Sequence, residues 1–355
     1  MTARDFCRLA VTLLIGGVGG WCLNLLNVPL AWMLGAMIVT AILSAAGAPL
    51  KASKFIRALM LAVLGVAIGS TFSPDLLQSA GAWVVSLCVL ALYAVTTSLG
   101  GAHLLSYVSS WSPATRFFSA VPGGLTDMIL AGGERGGDEP TMALIHTIRI
   151  MVTVLVIPLA FSLSGHPPDR LAPGVVPSWE ALTGDGAFWL FGAGIIGMLA
   201  GKLVRLPAYV FTGPMIASVA VHLAGLSAAK PPADIVNVAQ VAIGVSIGCR
   251  FVGVNVRMVA QQITVGIGYG LTLVTVGALF AVVTEQITGL SFWSLWLAFA
   301  PGGLAEMVLM GLAVGIDPAF VSTHHLFRFL LVLLIARGLF VLYRRISGDP
   351  PPPLG

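Results

Sequence analysis

Asp127, His146 and Arg149 recur 179 residues later as Glu306, His325 and Arg328. A carboxylate, an imidazole and a guanidinium in that order suit the binding of a proton, a cation or an anion. His146 and Arg149 are three residues apart and share one helix face, as do His325 and Arg328. Arg149 is embedded in MALIHTIRIMVTVLVIP. A charge at that depth of a bilayer costs about 2.5–3.5 kcal/mol on insertion scales, so such residues are functional-site candidates by default. Symmetric acids beside symmetric arginines suggest ion pairs, Asp127 with Arg149 and Glu306 with Arg328, within or across the copies. Buried pairs also fix geometry without binding anything, and the histidines also serve as hydrogen-bonding groups within a bundle. No close ligand pair such as HExxH points to a metal, and no cofactor is expected.

Each acid follows a Pro-Gly-Gly: AVPGGLTDMIL at 120–130 and APGGLAEMVL at 300–309. Proline is tolerated in the first turn of a helix and is costly in its interior. The motif therefore predicts a half-helix that begins at mid-depth, with Leu125 to Leu130 as its first turns. Free N–H groups at such a start attract anions, and irregular backbone at that depth is tolerated only inside protein or along a wet cavity. On this reading Pro122, Gly123, Gly124 and Arg149, with Pro301, Gly302, Gly303 and Arg328, bind a small anionic substrate. Asp127, Glu306, His146 and His325 bind a coupling ion, H⁺ or Na⁺. The competing reading is a kink with glycines used for helix packing.

The elements that must carry these residues are helices in lipid. The 355-residue chain is 57% hydrophobic and 9% charged, far below the roughly 25% charged residues of soluble domains, with a mean hydropathy of +0.98. Continuous apolar runs without alternation read as helices rather than barrel strands. They fall at 8–26, 30–47, 55–72, 80–105 and 141–162, then at 187–204, 208–226, 235–251, 259–284 and 319–343. The net charge of +4 comes from small, scattered basic clusters, which mark topology and not nucleic-acid binding. Cys7, Cys22, Cys88 and Cys249 show no CxxC spacing, and no disulfide is expected.

Four matches keep one order and nearly one offset: PLAWMLGAMI over PAYVFTGPMI, GVAIGSTF over GVSIGCRF, PGGLTDM over PGGLAEM, and HTIR over HLFR. They indicate an internal duplication. Residues 1–163 form the first membrane repeat, 164–186 a Pro/Gly-rich linker, 187–343 the second repeat and 344–355 a tail. Counting basic residues in the loops puts the larger clusters on one side only if each half crosses an odd number of times. The expected fold is therefore all-α, with two inverted repeats of about five spans, each with a broken or re-entrant Pro-Gly-Gly segment, and both termini cytoplasmic. The two glycine-interrupted GVAIG/GVSIG segments are either a second broken pair or a close helix contact.

VPGGLTDMILAGGERGGDEPTMALIHTIR, APGGLAEMVLMGLAVGIDPAFVSTHHLFR and the starts at Pro29 and Pro207 resemble the AbrB family of duplicated bacterial membrane proteins, over nearly the whole chain. The resemblance implies a bacterial inner-membrane protein with a proposed link to regulation of gene expression; some members carry an ammonia monooxygenase label. The residues themselves favour a secondary transporter of a small anionic solute. The alternative is a membrane-embedded regulator or sensor acting through a partner, without transport, and a metal-dependent oxygenase is a third reading. The expected partners are the lipid bilayer, the solute and H⁺ or Na⁺, without nucleic acid, and with a homo-oligomer possible. No enzyme activity is expected.

Overall fold

A computed structural model describes residues 3–72, 80–165, 179, 182–254 and 259–348. Most of the expected linker and the end of the tail lie outside the described residues. The described chain is all-α. In order the helices are α1 (Ala3–Leu25), α2 (Ala31–Ala45), α3 (Lys54–Gly69), α4 (Val84–Val108), α5 (Pro113–Ala120), α6 (Leu125–Gly133) and α7 (Glu139–Leu163). There follow α8 (Gly184–Leu203), α9 (Tyr209–Leu223), α10 (Ala233–Gly248), α11 (Ala260–Thr288), α12 (Phe292–Phe299), α13 (Leu304–Ala313) and α14 (Pro318–Ser347).

All ten apolar runs are helical, and seven helices are long and apolar enough to cross a membrane. Large side chains such as Leu14, Phe188, Phe191, Leu199 and Leu203 stand exposed along α1 and α8. In water such a surface would aggregate; against acyl chains it is the solvated face. The chain is a multi-span membrane protein.

Four of the ten helices, α2, α3, α9 and α10, have only 15, 16, 15 and 16 residues. At 1.5 Å per residue they reach about 22–24 Å, short of the roughly 30 Å hydrocarbon core. Tight turns truncate α2 and α9 at their starts. Asn27 and Leu30 before α2, and Arg205 and Ala208 before α9, adopt left-handed backbone at φ 53°, 54°, 56° and 48°. These are matched positions of the two copies, so the repeat is visible in the backbone as well as in the letters.

The described chain divides into two compact units, each drawing on both halves of the sequence. The first gathers α1–α3, the end of α7, α8–α10 and α13 from Ala305. Within it α1 packs on α2, and α8 on α9, through paired glycines: a Cβ at Gly35 would land on the backbone of Gly19, and one at Gly213 on that of Gly197. The GVAIG helix α3 packs against α9, where Gly65 faces the Phe211 carbonyl and Gly69 the Met215 carbonyl. The GVSIG helix α10 packs against α2, where Gly244 faces the Met33 carbonyl and Gly248 the Met37 carbonyl. Both segments run as unbroken helices through these glycines. Close packing through small residues is the outcome, and each copy's glycine helix packs on the other copy.

The second unit gathers α4–α6, α7 to Val154, α11, α12 and α14 from Phe320. Its core is rich in aromatic side chains. Phe117, Phe118, Tyr269, Phe340 and Tyr343 pack with Leu105, Met142 and Val332. Buried tyrosine hydroxyls find backbone acceptors, Tyr93 at the Leu273 carbonyl (3.3 Å) and Tyr269 at the Ala120 carbonyl (2.8 Å). A buried hydroxyl without a partner would be costly, and here each is spent on a neighbouring helix.

Candidate functional site: the paired helix breaks

Both Pro-Gly-Gly motifs interrupt a helix. In the first copy α5 is capped by Ser112, whose side chain accepts from the Thr115 N–H (3.2 Å), with Pro113 in the first turn. It ends at Ala120. The chain runs extended through Val121 and Gly124 (φ −60°, ψ 127° and φ −65°, ψ 131°), and α6 starts at Leu125. In the second copy α12 ends at Phe299 and α13 starts at Leu304. A short helix follows each motif.

The glycines do not supply left-handed backbone. At Gly123 and Gly124 they make room: a Cβ on Gly123 would meet the Val332 side chain, and one on Gly124 the Phe329 ring, both on α14.

A break opens a ladder of hydrogen bonds twice. The preceding helix is left with free carbonyls and a partial negative charge, and the following one with free N–H groups and a partial positive charge. The structure answers both ends. His146 donates from Nε2 to the Phe118 carbonyl (2.9 Å), and Arg149 donates to the carbonyls of Val121 (2.8 Å) and Gly123 (3.4 Å). In the second copy His325 donates from Nε2 to the Leu297 carbonyl (3.0 Å). Arg328 donates to the carbonyls of Phe299 (3.1 Å), Ala300 and Gly302 (3.3 Å), and to Nδ1 of His325 (3.0 Å). Phe118 and Leu297 are matched residues, as are Val121 and Ala300. His146, Arg149, His325 and Arg328 are all buried.

The expected ion pairs are not what forms. Among the described residues there is no ion pair between Asp127 and Arg149 or between Glu306 and Arg328. Asp127 lies in the first turn of α6 and Glu306 in the first turn of α13, each three residues past the glycine that precedes its helix. There a carboxylate complements the positive helix end. Each break thus carries its own complement, a cation on the negative end and an acid on the positive end.

The two copies differ at the acids. Glu306 is buried, whereas Asp127 is half-buried. Glu306 also belongs to the electrostatic surroundings of Arg250, as does Arg57. The clamps themselves are neighbours: Arg149 and Arg328 lie in each other's field and both in that of Tyr93. Tyr93 and Tyr269 went unread in the sequence. The available signal was a tyrosine in mid-span, which when buried must bond something. His324, without a counterpart in the first copy, bonds Ser86 Oγ through Nε2 (2.8 Å) and the Phe320 carbonyl through Nδ1 (2.8 Å). Among the described residues no group of three or more His, Cys, Asp or Glu converges as metal ligands.

Comparison with known proteins bears on what the paired breaks serve. A model of the family described as "Transition state regulatory protein AbrB" matches residues 32–344. The chain is 26% identical to "Uncharacterized protein YhjN" of Bacillus subtilis (strain 168), over 94% of this chain and 93% of that protein. It is 22% identical to "Putative regulator AbrB" of Escherichia coli (strain K12), over 92% of each. These matches overturn the expectation of an ion-coupled secondary transporter: the family description and the named relative both point to regulation. The arginines assigned to the solute bond carbonyls at the chain's own breaks. The match runs from α2 into the last turn of α14 and takes in both breaks with their histidines and arginines, and the chain belongs to the AbrB family.

Proposed function

We propose that this protein is a membrane-embedded regulator that influences gene expression through a partner, without transport. The observation that carries the reading is the family match across both repeats, together with a relative named as a putative regulator. The paired breaks support it in physical terms. Each is a short, extended joint between two half-helices, held by a histidine and an arginine from the next long helix. Such joints give a membrane bundle a few discrete arrangements without needing a solute pathway.

The reading includes the finer architecture. Residues 1–163 and 187–343 are taken as inverted repeats of about five spans, in the bacterial inner membrane, with both termini cytoplasmic. The matched left-handed turns at Asn27/Arg205 and Leu30/Ala208, and the matched glycine contacts, support the repeat. The loop distribution of Lys and Arg supports the inversion. A second copy of the chain is a candidate partner within the bilayer.

The test has two arms in a bacterial host that carries the protein. Transcript profiles are compared between a deletion strain, the same strain complemented with the wild type, and one complemented with Arg149→Met. Membranes are solubilised in parallel, and a tagged chain is used to recover bound proteins. The expected result is a set of transcripts restored by the wild type but not by the variant at equal protein level, with a soluble partner recovered in stoichiometric amount. Unchanged transcripts together with no such partner overturn the reading.

A further inference from the structure

The first unit holds a cavity of about 520 Å³ lined by Lys51, Lys54, Arg57 and Arg250, with Ser53 and Cys249. The family match does not address it, and the helix breaks do not use it. Its volume falls within the roughly 300–1,000 Å³ typical of small-molecule sites. Four cations line its wall. Lys51 is paired with Asp5 (2.7 Å), and Glu306 lies in the field of Arg250. Lys54 and Arg57 form no ion pair among the described residues. Four cations thus face Asp5 and Glu306 among the described residues. Nε of Arg57 is buried and has no hydrogen-bond partner, although a buried donor normally finds one. The start of α3, capped by Ser53, opens on the same cavity and adds the positive end of a helix.

The duplication provides an internal control. At the repeat offset, Lys54, Arg57 and Arg250 correspond to Ala233, Val236 and Thr71. The other copy folds its equivalent helices without these charges, so packing of the repeat does not require them. Two arginines and two lysines facing one space suit a tetrahedral, multiply charged anion better than a single carboxylate, because the guanidinium forks bind its oxygens in pairs.

We propose that this cavity is a binding site for a phosphate group carried on a larger molecule, either the headgroup of an anionic lipid or a soluble phosphate monoester. It stands independently of the regulatory reading, since it concerns binding alone.

Cys249 reports occupancy. In a chain with Cys7→Ala, Cys22→Ala and Cys88→Ala, the rate of Cys249 modification by a small methanethiosulfonate is measured in phosphatidylcholine nanodiscs. It is compared with and without phosphatidic acid in the bilayer, and with inorganic phosphate or glycerol 3-phosphate in solution against chloride at equal ionic strength. Thermal stability is followed under the same conditions. The expected result is saturable protection and a raised melting temperature from at least one phosphate source, weakened at least tenfold by Arg57→Gln and by Arg250→Gln. Arg344→Gln, in the last turn of α14, leaves both unchanged. Protection by phosphatidic acid alone assigns a lipid headgroup, and protection by a soluble phosphate assigns a soluble ligand. Should the arginine variants fail to fold, Lys54→Gln, at an exposed residue, takes their place. No protection or stabilisation by either source beyond chloride, or an effect indifferent to these substitutions, overturns the proposal.

Discussion

Replacing Arg328 with Leu removes the group that answers the carbonyls of Phe299, Ala300 and Gly302. Each buried carbonyl left without a donor costs about 1–3 kcal/mol. Three of them set an upper range near 3–9 kcal/mol, from which the relief of no longer burying a guanidinium must be subtracted. A net loss of roughly 3–5 kcal/mol is expected, a large share of a typical 5–15 kcal/mol total. Arg149→Leu frees only two carbonyls, one of them bonded at 3.4 Å, and is expected to cost roughly 2–3 kcal/mol on the same scale. Arg328→Lys keeps the charge but cannot fork to three acceptors, and should fall between wild type and Leu. The assay is equilibrium unfolding in neutral detergent, with amide exchange at 299–304 as the local readout. Were the arginine instead held ready for a solute, Arg328→Leu would leave stability intact. A change under about 0.5 kcal/mol with unaltered exchange at the break would refute the clamp, since substitutions away from special features fall in that range.

Three further outcomes follow from the same geometry. Gly35→Val should disrupt the α1–α2 contact, because its side chain would enter the backbone of Gly19, whereas Gly17→Ala, with open space beyond it, should be neutral; overpacking typically costs about 1–3 kcal/mol, read in a detergent melt. Tyr269→Phe removes the hydroxyl that donates to the Ala120 carbonyl and should cost about 1 kcal/mol by equilibrium unfolding, with faster amide exchange near the first break. Asp127→Asn should cost only about 0.3–1 kcal/mol, the usual size of a charge–helix-end interaction at a partly exposed site, and should lose that effect in high salt.

Much of the framework was legible because it depends on side-chain chemistry that the letters carry. Apolar runs without alternation became helices, and Pro122 and Pro301 marked where two of them stop. The spacing of His146 and Arg149 put both on one face, as found. Their partners were misread for a physical reason. A search for charge complements finds Asp and Glu, but the strongest unmet acceptors at a break are backbone carbonyls, which no residue letter records. The count was available: a helix that ends at Ala120 leaves carbonyls that something must satisfy, and a deep arginine is a natural donor. The left-handed turns at Asn27, Leu30, Arg205 and Ala208 could not be anticipated, because none is glycine and tertiary packing imposes them. The basic cavity was half visible. Lys51, Lys54 and Arg57 read as a topology cluster, while Arg250 reaches them only through the packing of α10 within the first unit.

Within the first unit, a double-mutant cycle tests whether Arg250 and Glu306 are energetically joined. Arg250 lines the cavity and lies in the opposing fields of Glu306 and Arg57. Glu306 is buried at the start of α13, so an interaction with Arg250 is poorly screened. Glu306→Gln and Arg250→Gln should each destabilise the protein. The double variant should be less destabilised than their sum by about 0.5–3 kcal/mol, the range for groups in one network. Additivity within about 0.5 kcal/mol would show that the two charges act independently.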